Sequence, residues 1–218
     1  MQFIKVHKFW SKDPIEVYID INPRTFQQSI KYVGDLQKAI VTWSNLLKIY
    51  SGSYHNNSWN FQLNNGSSNV AKSSIIIKLS SDPLGQICNG TGGIRSYALT
   101  IFPQSQDTNA YIDTANSCLV HGHEQQVSHQ DMYSTILHEF GHALGLGHAH
   151  NRDGDLMCGT EDHNGVAIET CKPYSASDVT PSLFDIKALF YVYGSNGFNE
   201  PNNKLIEHYG IKQYNETG

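Results

Sequence analysis

Residues 138–148 read HEFGHALGLGH. Apolar Met132, Ile136, Leu137, Phe140 and Leu144 recur at helical spacing ahead of and through this run, which puts its first half on an amphipathic helix. Residues four apart on a helix share one face, so His138 and His142 stand side by side. Glu139 follows the first histidine and can border an ion held by both imidazoles without ligating it. Gly145 tolerates the positive φ that ends a helix and turns the chain, and His148 can then return as a third nitrogen donor. Three protein nitrogens around a tetrahedral ion leave one position open, the pattern of a catalytic rather than a structural zinc. A carboxylate beside such an ion can take a proton from water. A lone H-x-x-x-H is more often two surface histidines, but here positions 138, 139, 142, 145 and 148 agree in both type and spacing.

Ser128 with Asp131 three residues on predicts the start of this helix, which should stop near Gly145. Upstream, residues 14–21 alternate apolar and polar and read as a strand. Residues 25–50 read as one long helix, with Ile30, Val33, Leu36, Ile40, Trp43, Leu47 and Tyr50 on its apolar stripe. Residues 59–63, 74–79, 97–102 and 110–113 are further strand candidates. Residues 85–93 are glycine-rich, but no Lys-Ser/Thr pair or helix start follows, which argues against a phosphate loop. Residues 152–173 lack periodicity and read as loop. Thr180 before Pro181 suggests a helix start, and LFDIKALFYVY then forms a third helix ending at Gly194. The tail from Ser195 is polar and weakly patterned.

The 218 residues suffice for one domain with a real core, and 39% apolar and 11% aromatic content argue against disorder. A net charge of −5 offers no basic footprint for nucleic acid, and no apolar run reaches the length of a membrane span. Charged residues make up 16%, with Asn, Ser, Thr and Gln in their place, a composition common outside cells. The first ten residues carry no signal-peptide core, so a secreted protein would have lost its leader. Four cysteines, at 88, 118, 158 and 171, allow three pairings. Neighbour pairs Cys88–Cys118 and Cys158–Cys171 are favoured, each stapling a loop-rich stretch, and buried free thiols are the alternative. Asn56, Asn65, Asn89 and Asn215 lie in glycosylation tripeptides that chance also supplies in an Asn-rich chain.

The run at 138–148 matches H-E-x-x-H-x-x-G-x-x-H, and the chain resembles the metzincin zinc metallopeptidases. Met157, in GDLMCG, stands where their methionine turn is expected. HALGLGH, the run FDIKALFYVYG at 184–194, AIVTW at 39–43, YALTIFP at 97–103 and AYIDT at 110–114 are most similar to the matrixins, the matrix-metalloproteinase-like branch. The resemblance implies an α+β zincin fold: a twisted mixed sheet, two long helices with the zinc motif on the second, a methionine turn and a C-terminal helix. It implies a catalytic domain over residues 1–194, with 195–218 as an extension packed on it or flexible. The implied activity is endopeptidase, with zinc on His138, His142 and His148, Glu139 as general base and acid, and Gly145 and Asp185 as structural supports. Substrate would lie extended on the edge strand at Tyr97, Ala98 and Leu99, with Pro173 and Tyr174 in the pocket wall. Implied partners are protein or peptide substrate only, for a secreted monomer without nucleic acid or membrane span.

The chain departs from the matrixin pattern in several places. No histidine lies between His55 and His121, so the second, structural zinc is expected to be absent. Ala149 stands where serine is frequent, and the loop between Met157 and Pro173 is long. No cysteine-switch propeptide is present, as in a mature catalytic domain. Elsewhere, His121 and His123 read as a polar turn rather than a second metal site. His150 competes with His148 as third ligand, though the glycine-to-histidine spacing favours His148. Asp153 and Asp155 could take calcium, but a turn with solvated carboxylates is the plainer reading. The rival functions are a pappalysin-like metzincin of narrow substrate choice and a zinc-bearing binding module without turnover; Glu139 argues against the latter.

Overall fold

Strand β2 (Ile15–Ile21), the one with the clearest alternation in sequence, is an interior strand of the main sheet. The computed structural model describes residues 3–6, 10, 14–21, 24, 26–52, 59–65, 74–80, 98–102, 112, 114–120, 127–150, 153–158, 179–199 and 212–215. In chain order these form β1 (Phe3–Val6), β2, α1 (Phe26–Ser29), α2 (Val33–Ser51), β3 (Phe61–Asn65), β4 (Ser74–Ser80), β5 (Ala98–Ile101) and β6 (Thr114–Val120). Then follow α3 (His129–Ala143), β7 (Leu146–His150), α4 (Leu183–Tyr193) and β8 (Lys212–Asn215). Five strands make one sheet in the order β3-β2-β4-β6-β5, parallel except for β5, which runs antiparallel to β6 at one edge. This is the mixed sheet with helices that the α+β zincin expectation describes.

Helix α2 buries Leu36, Ala39, Ile40, Trp43 and Leu47 along one stripe and stops at Gly52, whose φ is +65°. The single helix expected over 25–50 is broken at its start: α1 passes through a 3-10 turn at Ile30–Tyr32 before α2 begins. Trp43 crosses from α2 to α3, its Nε1 donating to the Leu137 carbonyl at 3.0 Å. Phe61 on β3 packs edge-on against Phe140 of α3, ring centres 5.0 Å apart. The main sheet, α2 and α3 thus share one core, and α3 is its inner wall.

Several expected boundaries move. The strand expected at 59–63 is Phe61–Asn65. The strand expected at 110–113 is found at Thr114–Val120; of the expected stretch only Ile112 is among the described residues, and it lies outside the strand. Strand β6 sits between β4 and β5, and Ala115 through Leu119 are all buried, Asn116 and Ser117 included. A strand covered on both faces shows no alternation to read. Helix α4 starts at Leu183, not after Thr180, because Ser182 and Asp185 cap reciprocally: Ser182 N donates to Asp185 Oδ2 at 2.8 Å and Asp185 N to Ser182 Oγ at 3.2 Å.

A second sheet, β7-β1-β8, was not expected at all. Strand β1 pairs antiparallel with β7 on one side and with β8 on the other, so the N-terminal strand lies between the strand that carries His148 and β8. Trp10, fully buried, fastens the same region: its Nε1 donates to the Ala143 carbonyl at 2.8 Å and its backbone N–H to the Tyr193 hydroxyl at 2.9 Å. That hydroxyl in turn donates to the Leu144 carbonyl at 3.0 Å. The end of the histidine-bearing helix is therefore held by the N-terminal segment and by α4.

Candidate active site

Ser128 caps α3, accepting from Asp131 N–H at 3.0 Å, and Gly145 ends the helix with φ +108°. Between these stops, His138 and His142 share a face. The chain reverses at Gly145 into β7, which brings back His148. Ligand nitrogens of the three imidazoles all lie within 4.8 Å of one another. Among the described residues no other group of three or more His, Cys, Asp or Glu side chains converges in this way. Asp153 is exposed whereas Asp155 is buried, so the expected turn with two solvated carboxylates does not form, and no calcium site is seen among the described residues.

Two backbone carbonyls set the histidine tautomers. His138 Nδ1 lies 2.7 Å from the Leu156 carbonyl, and His142 Nδ1 lies 2.8 Å from the Leu146 carbonyl. A carbonyl only accepts, so both Nδ1 atoms carry the proton and both Nε2 atoms present lone pairs. Those two Nε2 atoms face each other at 3.0 Å. Two lone pairs at that distance repel unless a cation lies between them, and tetrahedral zinc with nitrogen ligands at 2.0–2.1 Å separates them by roughly 3.3 Å. The donor set fits zinc. Burial, and secondly the neighbouring His148, lower the His138 pKa to about 4, against the Leu156 hydrogen bond and the Asp155 charge, which raise it. A neutral imidazole is the form that binds metal.

Residues 155–158 form the floor. Met157 is fully buried, and its sulfur lies against Gly141, where an added Cβ would come within 2.5 Å of Sδ. Besides Leu156, which holds His138, the Met157 carbonyl accepts from Ala149 N–H at 2.7 Å, next to His148. This turn therefore ties the helix bearing two imidazoles to the strand bearing the third. Its own brace is Asp155, whose Oδ1 accepts from Met157 N–H at 3.0 Å. Asp185 lies beside Asp155, and its Oδ1 is buried without an N–H or O–H donor. Burial, then the Asp155 charge, push the Asp185 pKa well up. The two side chains interact directly, so Asp185 braces the turn through Asp155.

Glu139 points toward the sheet rather than outward. It is buried, and Thr100 of β5 reaches it: Thr100 Oγ1 lies 2.6 Å from Glu139 Oε2 and 3.0 Å from the Glu139 carbonyl. Ser117, the register partner of Thr100 on β6, stands 2.9 Å from the same hydroxyl. Burial raises the Glu139 pKa to about 7, and the Thr100 hydrogen bond partly opposes it. A carboxyl poised near neutrality can both take and return a proton.

Of the remaining expected site residues, Ala98 is half-buried on β5 and Leu99 pairs with Cys118 across the sheet. Tyr97, Pro173 and Tyr174 lie outside the described residues, as do His121, His123, Cys88 and Cys171. Neither Cys118 nor Cys158 is a free thiol. Sequence reasoning missed Thr100, Ser117, Gly141 and the carbonyls of Leu146 and Leu156, and it gave Asp155 a solvated turn instead of its buried bracing role. Only Thr100 carried a signal, being a polar residue in phase with Ala98 on a short strand.

A family model described as Matrixin matches residues 9–169. The chain belongs to the matrixin family. The match spans the sheet, α3, the three histidines and Met157, and it ends before α4. No curated protein matches the chain. Matrixins are zinc metallopeptidases, commonly extracellular, so membership implies metallopeptidase chemistry on a protein substrate, and the three-histidine group can hold the metal ion. No helix among the described residues is long and apolar enough to cross a membrane.

Proposed function

We propose that this matrixin is a secreted, monomeric zinc endopeptidase, with His138, His142 and His148 as the metal's protein ligands and Glu139 as general base and acid. The observation that carries this reading is the pair of Nε2 lone pairs facing at 3.0 Å, with His148 beside them and a buried carboxyl one residue away. Zinc held there would supply Lewis acidity, making water more acidic and a peptide carbonyl more electrophilic. Glu139 takes the proton of the attacking water and returns it to the leaving amine nitrogen. Met157 and the Asp155–Asp185 pair keep the histidine-bearing segments in register, and Gly145 supplies the turn between them.

Substrate binds extended along β5, which among the described residues has a strand neighbour on one side only. Main-chain hydrogen bonds from residues 97–99 give it register, and Pro173 and Tyr174 contribute to the pocket beyond the scissile bond. Residues 1–194 make up the catalytic domain, and the pairing of β8 with β1 supports packing of the 195–218 extension on it. Cysteines pair as Cys88–Cys118 and Cys158–Cys171.

The test is hydrolysis of a random peptide library with and without chelator, alongside Glu139→Ala. The variant should keep one zinc per chain and lose activity by about 10²–10⁴-fold, the usual scale for removing a general base. Near-normal hydrolysis by Glu139→Ala, or chelator-resistant activity, would overturn the reading.

A further inference from the structure

The contact between Thr100 and Glu139 crosses from the edge strand to the motif helix, between residues 39 apart in sequence. Thr100 has one hydroxyl proton and three oxygens within reach: Glu139 Oε2 at 2.6 Å, Ser117 Oγ at 2.9 Å and the Glu139 carbonyl at 3.0 Å. An ionised carboxylate can only accept, and a hydrogen bond to a charged oxygen is the shorter and stronger kind. The proton therefore goes to Oε2. Ser117 is fully buried and is the cross-strand partner of Thr100, and its own O–H completes the chain by donating to Thr100 Oγ1. With Glu139 ionised the chain runs one way: Ser117 to Thr100, Thr100 to Glu139 Oε2. With Oε2 held, Oε1 is the oxygen left to move protons.

We infer that Thr100 is a positioning residue for the general base: with Ser117 behind it, it pins one oxygen of Glu139 and aims the other at the reacting water. The inference rests on the reading of Glu139 as that base. It also joins binding to chemistry, since β5 offers its main-chain edge to the substrate while its inward side chain orients the carboxylate. Removing the hydroxyl leaves that main-chain edge intact, so substrate binding should not change while turnover does.

The experiment compares Thr100→Val, Thr100→Ser and Ser117→Ala as zinc-loaded, full-length protein on a peptide the wild type cleaves. Zinc content, melting temperature, kcat and KM are read for each. Thr100→Val should lower kcat by about 10–100-fold, the scale of a lost hydrogen bond to a charged group, at unchanged KM and zinc content. Thr100→Ser, which keeps the hydroxyl, should recover most of that loss. Ser117→Ala should lower kcat severalfold, and it decides the matter with Thr100→Ser if the valine variant does not fold. A Thr100→Val kcat within about twofold of wild type, a change confined to KM, or equal losses for valine and serine would overturn the inference. Glu139→Ala run in parallel separates the two ideas. If it is inactive while Thr100→Val turns over normally, only the positioning role fails; if it is active, the general-base reading fails first.

Discussion

Gly141, in the middle of α3, is the position where a single methyl group tests the packing beneath the histidines. On helix propensity alone, Gly141→Ala should stabilise by about 1 kcal/mol. The structure predicts the opposite sign. The new Cβ would sit 2.5 Å from Met157 Sδ, 3.1 Å from its Cε and 3.2 Å from Trp43 Cζ2. The end of a methionine is flexible, but this one is fully buried and its backbone is held on both sides, by Asp155 Oδ1 and by Ala149 N–H. Trp43 is fastened by its bond to Leu137. Overpacking of this kind costs about 1–3 kcal/mol, and a 2.5 Å approach belongs at the upper end. After the propensity gain, a net loss of about 1–2 kcal/mol remains. Any relief must come from moving residues 155–158, which shifts the Leu156 carbonyl from His138, so zinc affinity should fall as well. Urea denaturation of the chelated protein reads the stability, and competition with a chromophoric chelator reads the zinc affinity. In a Met157→Ala background the two closest contacts are gone, only the 3.2 Å approach to Trp43 remains, and Gly141→Ala should cost far less. The reasoning fails if Gly141→Ala stabilises the protein, or if its cost is the same with and without the Met157 side chain.

Tyr193→Phe leaves the Trp10 N–H without its acceptor and removes the donor to the Leu144 carbonyl, both buried, and should destabilise by about 1–3 kcal/mol in denaturant titrations; a loss of only a few tenths would show that this clamp does not matter. The metal-free protein should show two opposing pH dependences. The buried His138, with its pKa lowered from 6.5 to about 4, makes the fold less stable as pH falls through that window, whereas Glu139, raised from 4.5 to about 7, makes it less stable as pH rises through its own. Glu139→Gln removes only the second effect, so the chelated variant should gain on wild type by about 3 kcal/mol between pH 4.5 and 7.5, and a pH-independent difference would refute this. Peptide mapping of the unreduced protein should yield Cys88–Cys118 and Cys158–Cys171 pairs; a Cys88–Cys158 or Cys118–Cys171 peptide would sink that assignment.

The parts of the site that were readable in advance are those whose geometry is local. A four-residue step on a helix fixes the separation of two side chains whatever surrounds them, so His138 and His142 could be paired from spacing alone. The glycine at 145 and the histidine at 148 extend that logic by one turn of chain. Strands gave way where the environment, not the pattern, decided. Strand β6 is polar in part yet buried from Ala115 to Leu119, and Asn116 and Ser117 interrupt any apolar pattern that would mark it as a strand. Strands β1 and β8 are four residues each, too short for alternation to register, and they meet across nearly the whole chain, Phe3 opposite Asn215.

The same division runs through the chemistry. Side-chain type says what a residue can bind or donate, and the motif supplied that. What aims each group comes from elsewhere in the chain. His138 is oriented by a carbonyl 18 residues on, Glu139 by a hydroxyl 39 residues back, and the end of α3 by an indole 133 residues upstream. A carbonyl has no sequence signature, because every residue carries one. A threonine on a short strand has only a weak one. A chain could therefore keep HEFGHALGLGH intact and still lose turnover through Thr100, Ser117 or residues 155–158. Substitutions at Thr100 or Ser117 should separate metal content from catalytic rate, whereas substitutions at the three histidines should abolish both together.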